Sequence, residues 1–267
     1  MPLVSLHAAS QAASSLQGGR AYQQDAFATA SATADPDNSF VTATVCDGHG
    51  SGTGSGPIAE AAAALITQAI ANHGYEHVKL AYQDAKDEIT RTFPARGSRD
   101  NTCSVTVVAL PDGTVLCVWV GDCRAYLLTA GNRLIQLTTD HNRADQGYSH
   151  IVTRALLDAP GAPADFSTKP AFDAYEPELR EDHSQAALPR RILLTTDGVH
   201  DVLTDTQIRR KLIAAPDAQS AADRLTGHAV RTAWSRHRQD QKRPVFNQMF
   251  VPTPDNATAL VIDLPAA

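Results

Sequence analysis

The sequence predicts a compact domain of mixed α and antiparallel β structure. Short apolar segments rich in β-branched residues end repeatedly at Asp-Gly, Asn or Pro positions, which is typical of strands joined by turns. Between them lie alanine-rich stretches whose apolar residues recur every three or four positions, as in amphipathic helices. The chain contains no internal repeat and no linker-like stretch, so we expect one domain over residues 1–267.

In the N-terminal half, a strand ends abruptly at Asp47-Gly48, and a loop rich in glycine and serine follows it. The loop leads to Pro57, a residue favoured in the first turn of a helix. The pattern predicts an edge strand at 3–9, a turn at 14–19, a strand at 39–46 and helices at 57–71 and 76–93.

In the C-terminal half, the Asp-Gly pair at 112–113 predicts a hairpin, because this dipeptide favours tight turns. The hairpin joins strands 103–110 and 115–120, and a second hairpin joins 124–129 and 133–137. The remaining predicted elements are a short helix around 151–156, a strand at 191–195, helices at 205–214 and 217–238 and a last strand at 258–264.

Composition excludes several classes of protein. The longest apolar runs, such as 115–120, are far shorter than the ~20 residues of a membrane span, and no basic leader precedes an apolar block. The net charge of −6 argues against a nucleic-acid partner, since phosphate-backbone binders usually carry a basic excess. The four cysteines form no Cys-x-x-Cys pair, so we expect reduced, buried thiols and a cytoplasmic location.

Three aspartates occupy similar places in the pattern. Asp47, Asp197 and Asp255 each stand at a junction between a strand and a loop. Carboxylates that converge from strand ends repel one another, and a hard divalent cation such as Mg²⁺ or Mn²⁺ relieves that repulsion. Two such ions would lower the pKa of a shared water. For any single aspartate the alternative stays open, because Asp-Gly is most often simply a turn.

Seven sequence blocks, in order along nearly the whole chain, resemble the motifs of the type 2C metal-dependent protein serine/threonine phosphatases, in particular bacterial members. The blocks are 19–27 (GRAYQQDAF), 45–50 (VCDGHG), 120–126 (VGDCRAY), 137–141 (LTTDH), 152–156 (VTRAL), 193–201 (LLTTDGVHD) and 255–258 (DNAT).

The resemblance implies a fold and a metal centre. The fold is a four-layer α/β/β/α sandwich, in which two antiparallel sheets are each backed by helices and a metal pair lies at one end. By position, Asp47 would bridge two Mn²⁺ or Mg²⁺ ions, the carbonyl of Gly48 would bind one, and Asp197 with Asp255 the other. Asp201 matches a ligand of a third metal, and Asp100 is its nearest available partner.

The resemblance also implies catalytic roles. Arg20 would hold the substrate phosphate through its guanidinium fork. Asp25 would orient the attacking water, and Gln24 stands where many eukaryotic members have Glu. His49 would protonate the departing Ser or Thr oxygen. Asp122 is better interpreted as structural, with its carboxylate holding a turn.

The chain departs from the family pattern at several positions. Ser51 replaces the second glycine of the Asp-Gly-His-Gly-Gly signature, and Cys123 replaces a serine, with little expected effect. A segment similar to the family's flap spans about 141–185, and 239–254 is an apparent insertion. Basic residues make 231–254 either a solvated helix end or a docking site for an acidic or phosphorylated partner: Arg231, Arg236, Arg238, Lys242 and Arg243.

We therefore expect a cytoplasmic phosphatase of phosphorylation signalling that removes phosphate from serine and threonine in the substrates of a cognate Ser/Thr kinase. One alternative is a pseudophosphatase that binds phosphoproteins without hydrolysis, but it would require the loss of metal carboxylates that are all present. A metal-dependent phosphodiesterase or nuclease is the other alternative. The sequence lacks the basic surface such an enzyme would use.

Overall fold

The computed structural model describes residues 9–32, 39–50, 53–93, 100–143, 148–157, 171–176, 187–241 and 253–264. The strands are β1 (Ser10–Leu16), β2 (Asp25–Ala32), β3 (Phe40–His49), β4 (Asn101–Ala109), β5 (Val115–Val120), β6 (Arg124–Thr129), β7 (Leu134–Gln136), β8 (Asn142–Arg143), β9 (Tyr148–Val152), β10 (Ala171–Tyr175), β11 (Pro189–Thr195) and β12 (Ala257–Asp263). The helices are α1 (Ser55–His73), a 3-10 turn (Tyr75–His77), α2 (Val78–Thr92), α3 (Asp197–His200), α4 (Asp205–Ala214) and α5 (Ala218–Asp240).

Ten of the described strands form two sheets of five strands. The first sheet has the order β1-β12-β11-β6-β7, the second has the order β10-β5-β4-β3-β2, and β8 pairs separately with β9. Every pairing is antiparallel. Because β1 lies beside β12, with Ser10 opposite Asp263, the two ends of the described chain are hydrogen-bonded neighbours.

The two sheets pack face to face and each carries helices on its outer face. Alternate residues such as Val45, Val105 and Leu194 form one buried layer between the sheets. The outer face of the second sheet packs against α1 and α2 around Tyr82, and that of the first against α4 and α5 around Leu225. The predicted four-layer α/β/β/α sandwich is therefore confirmed.

Local sequence signals account for the helix starts. Thr204 caps α4 in a capping box with Gln207. The Gln207 backbone N–H donates to the Thr204 hydroxyl, and the Thr204 backbone N–H donates to the Gln207 side-chain oxygen Oε1. Asp217 caps α5 by accepting from the Ser220 N–H. The predicted boundaries of α4 agree with the structure for this reason.

Several elements differ from the prediction. The helix expected around 151–156 is wrong, because β9 ends at Val152 and the following backbone N–H groups bond to distant carbonyls of His141 and Thr102. The turn expected at 14–19 is partly wrong, since Ser14 and Ser15 belong to β1. Their hydroxyls form hydrogen bonds with Thr226 on α5 and Thr258 on β12. Strands β2, β8, β9 and β10 were not predicted. Residues 3–8, Ser51, most of the flap-like segment 141–185 and residues 242–252 of the insertion lie outside the described residues.

Candidate active site

Two predicted acids from the second sheet lie opposite each other at one end of the sandwich. Asp25 begins β2 and is the register partner of Asp47 on β3. Side chains alternate along a strand, so Asp47 shares the inward face of Val45 and Val41 and ends the layer between the sheets. Both aspartates are partly exposed there.

The first sheet contributes two further acids to the same end. Asp197 starts α3 two residues after the end of β11, and Asp255 lies two residues before β12, which is the antiparallel neighbour of β11. The start of α3 packs closely on the segment that leads into β12, because a Cβ built on Gly198 would lie 1.8 Å from the carbonyl oxygen of Asn256. Only glycine permits this approach between the two aspartate-bearing segments.

Asp25 joins the two sheets through hydrogen bonds. Its Oδ2 accepts from the hydroxyls of Thr196, at 2.9 Å, and Thr258, at 2.8 Å. Both threonines belong to the first sheet's side of the site, and the Thr196 hydroxyl in turn accepts from the Thr258 N–H at 3.1 Å. The sequence interpretation did not assign a role to these threonines, although both lie in the quoted blocks 193–201 and 255–258.

The clustered carboxylates disfavour one another's charge. Burial, followed by the neighbouring carboxylates, raises the pKa of Asp47 and of Asp197 well above the ordinary value. Burial raises the pKa of Asp25 to about 7, although the two threonine hydroxyls lower it. Three acids with raised pKa values at one sheet end form a site that a positive charge would stabilise.

Arg20 supplies positive charge at the edge of this cluster. Its guanidinium forms an ion pair with Asp255, and both side chains are partly exposed. Burial lowers the pKa of Arg20, while Asp255, Asp197 and Asp47 raise it by more. The guanidinium thus holds Asp255 at the rim, next to the cluster.

The donor set fits a hard divalent cation, because its side-chain donors are carboxylate oxygens that carry excess negative charge. The backbone at Gly48 packs closely against two other segments, since a Cβ there would lie 2.6 Å from the carbonyl oxygens of Gln24 and Ser55. Among the described residues, however, no three His, Cys, Asp or Glu side chains already surround one ion position. Of the Asp255 carboxylate, oxygen Oδ2 is paired with Arg20.

His49 ends β3, two residues after Asp47. Burial lowers the pKa of its imidazole to about 4, although Asp100 raises it, so the ring is neutral at pH 7. Its Nε2 atom is buried and has no hydrogen-bond partner within the described part of the chain. A buried polar atom without a partner is costly, and it marks a position where a ligand atom could bind.

Asp100 and Asp201 lie at different points around the site. The Asp100 carboxylate accepts from the Gly54 N–H at 3.0 Å and so holds the start of α1. Asp201 follows α3, is exposed, and contributes to the raised pKa of Asp197.

Gln24 is buried, and its side-chain amide donates to the Ser55 hydroxyl at 2.6 Å. The roles of Asp100 and Asp201 at a third metal, and of Gln24 near a bound water, stay predictions.

The blocks at 120–126 and 137–141 contribute an ion pair, a buried aspartate and a buried cysteine. Arg124 donates to both oxygens of Asp140, with Nε–Oδ1 at 2.9 Å and Nη2–Oδ2 at 2.7 Å. Asp122 is buried, and burial raises its pKa to about 6, while a hydrogen bond from the Cys103 thiol lowers it. Cys123 is buried and free, as are the other three cysteines.

The profile of the protein phosphatase 2C family matches residues 14–229, and the chain belongs to this family. Among curated protein sequences, none matches the chain. In the described residues, no helix combines the length and apolarity that crossing a bilayer requires.

Solved structures of bacterial serine/threonine phosphatases are similar in fold. PstP/Ppp from Mycobacterium tuberculosis is 21% identical with a TM-score of 0.65. The PPM phosphatase MsPP from Mycobacterium smegmatis, in complex with cacodylate, is 22% identical with a TM-score of 0.66. The catalytic domain of PstP in complex with two manganese ions is 22% identical with a TM-score of 0.64. Each comparison covers 96% of this chain and 98% of the other.

Proposed function

We propose that this protein hydrolyses phosphoserine and phosphothreonine in proteins, with water as the nucleophile and a pair of Mn²⁺ or Mg²⁺ ions as cofactor. The convergence of Asp25, Asp47 and Asp197 at one end of the two sheets, with raised pKa values, carries this proposal. Membership of the protein phosphatase 2C family and the manganese complex of PstP support it.

Asp47, the Gly48 carbonyl, Asp197 and Asp255 would hold the two ions, and Asp201 with Asp100 a third. When bound, such ions lower the pKa of a water and offset charge on the phosphate oxygens. The reaction consumes one water and yields the free hydroxyl of the substrate and inorganic phosphate.

The chain's own residues would position the reactants. Asp25, fixed by Thr196 and Thr258 through Oδ2, would orient the attacking water through its other oxygen, Oδ1. Arg20 lies at the rim, where release from Asp255 would let its guanidinium fork bind two phosphate oxygens. Asp255 would then turn toward the other carboxylates.

His49 would give a proton to the departing serine or threonine oxygen. At pH 7 the imidazole is neutral in the free protein, because burial lowers its pKa to about 4. A phosphate dianion beside the orphaned Nε2 would raise that pKa, since an opposite charge favours the protonated ring. Proton donation would therefore depend on bound substrate.

The test is hydrolysis of a phosphothreonine peptide with Mn²⁺ and with EDTA, by wild type and Asp197→Asn. We expect activity that needs the metal and falls by about 100-fold or more in the variant, since charge stabilisation of several kcal/mol is lost. Asp223→Asn, an exposed change on α5, is the matched control and should retain activity. Folded wild type that is inactive with Mn²⁺ would instead support the binding-only pseudophosphatase.

A second comparison isolates His49. His49→Gln should slow hydrolysis of the phosphothreonine peptide far more than hydrolysis of p-nitrophenyl phosphate, because nitrophenolate leaves without a proton. Equal losses on both substrates would contradict proton donation by His49.

The substrates would be phosphoproteins of a cognate Ser/Thr kinase, met in the cytoplasm, where the four free thiols would stay reduced. Docking through 231–254 belongs to the same proposal. Residues 242–252 of that segment lie outside the described residues, whereas its first part is the end of α5.

A further inference from the structure

A stripe of basic side chains runs along one side of α5. Arg224, His228, Arg231 and Arg238 are spaced by four, three and seven residues, which places them on one face of a helix. The buried residues of α5, such as Leu225 and Ala229, face the first sheet instead. We call the four basic residues, together with Lys211 on α4, the basic stripe.

The end of α4 adds Lys211 to this side. The Arg224 guanidinium donates from Nη1 to the Ala214 carbonyl at 2.8 Å, which brings α5's first basic residue to the last turn of α4. Burial, then Arg231 and Arg224, lower the pKa of Lys211. Burial, then Lys211 and Arg231, lower the pKa of His228. The groups therefore lie close enough to repel one another.

The chain does not neutralise the Lys and Arg charges of the basic stripe, in which His228 is uncharged at pH 7 because its pKa is lowered. In the described residues, no Asp or Glu is ion-paired with any member of the basic stripe. The nearby acids on α5 have other partners, because the Asp217 carboxylate accepts from the Ser220 N–H and that of Asp223 from Gln219. Arg224 contributes to lowering the pKa of Asp217, but the capping bonds to Ser220 contribute more.

The local charge opposes that of the whole protein. Residues 205–240 contain seven Lys and Arg against four Asp and no Glu, whereas the chain as a whole carries −6. A long polyanion such as nucleic acid would meet the repulsion of the remaining acidic surface. A short acidic peptide would contact the basic stripe alone, so charge complementarity favours it.

We propose that the basic stripe is a docking site for an acidic segment, rich in Asp and Glu, of a partner protein. From Arg224 to Arg238 the helix rises about 21 Å at ~1.5 Å per residue. An extended peptide advances ~3.3 Å per residue, so about six residues would span the stripe. The surface lies on the outer helix layer, and binding of an acidic segment there requires no phosphate hydrolysis.

The test is the fluorescence anisotropy of a labelled peptide of six Glu residues flanked by Gly-Ser, measured in EDTA so that no catalysis contributes. We expect the peptide to bind wild type, its Gln counterpart not to bind, and added sodium chloride to weaken binding. Arg224→Glu/Arg231→Glu should weaken binding by about tenfold or more, since two favourable contacts become repulsive.

The matched control is Lys79→Glu/Arg133→Glu, which changes the net charge equally at exposed residues of α2 and the β6–β7 hairpin. It should weaken binding by less than about twofold, because only screened long-range charge changes. Equal losses in the two folded variants, verified by circular dichroism, would overturn the docking site, as would wild type that ignores the peptide. Tighter stripe-dependent binding of single-stranded DNA or of phosphatidylserine vesicles would overturn the assignment of the partner.

Discussion

Replacing Asp25 by Asn should stabilise the metal-free protein at pH 8. The substitution removes the negative charge but can keep the hydrogen bonds that join the two sheets, because the Thr196 and Thr258 hydroxyls both donate to the single oxygen Oδ2. An asparagine carbonyl oxygen in that position can accept the same two bonds. The substitution therefore separates the cost of the charge from the hydrogen bonds.

The magnitude follows from the pKa of Asp25, which rises from 3.8 to about 7 on folding. Each tenfold change in acidity corresponds to about 1.4 kcal/mol, so the upper limit is about 4 kcal/mol at pH 8. Solvent reaches part of Asp25 and screens its charge, and we therefore expect about 2 kcal/mol. The folded protein holds a proton that the unfolded chain has lost, so wild-type stability falls between about pH 4 and pH 7.

Urea unfolding in EDTA at pH 4 and pH 8 measures both effects. Asp25→Asn should match wild type near pH 4 and exceed it at pH 8, and excess Mn²⁺ should diminish the advantage by compensating the carboxylates of wild type. Asp87→Asn on the exposed face of α2 should change stability by less than about 0.5 kcal/mol at either pH. A difference between Asp25→Asn and wild type that is the same at both pH values would refute the electrostatic reasoning.

Three further changes test the framework around the site by urea unfolding. Arg191→Ala should cost about 3 kcal/mol, since the buried guanidinium pairs with Asp263 and donates to the Leu212 and Ala215 carbonyls at the C-terminal end of α4, whereas exposed Arg190→Ala should cost little. Gly198→Ala should cost about 2 kcal/mol and weaken Mn²⁺ binding in calorimetry, because its Cβ would force Asp197 away from the Asp255 segment. Thr204→Ala should cost about 1 kcal/mol by removing the cap of α4.

Each of these changes has an outcome that contradicts its reason. Unfolding of Arg191→Ala that matches Arg190→Ala would show that the buried ion pair with Asp263 contributes nothing. Unchanged Mn²⁺ affinity in Gly198→Ala would show that the close approach does not position Asp197. For Thr204→Ala, Thr204→Ser is the conservative companion, and an equal loss in both would exclude the capping hydroxyl as the cause.

Local sequence patterns predicted elements whose ends depend on nearby residues. The α4 boundaries follow from a capping box, and the β4–β5 hairpin follows from its Asp-Gly turn. Strand β2 was missed because its alternating alanines and small polar residues carry a weak apolar signal, yet pairing with β3 holds it in the sheet. The helix expected around 151–156 failed because distant carbonyls bind its backbone N–H groups.

By itself the sequence determined the family, the sandwich fold and the identity of the candidate acids, because motif blocks and strand-end aspartates are local patterns. Only the tertiary structure decided that one oxygen of Asp25 joins the two sheets and that Arg20 holds Asp255. It also decided that Arg224 of α5 donates to the end of α4, the helix that carries Lys211. These relations link residues far apart in the chain, and their distances depend on how the sheets and helices pack.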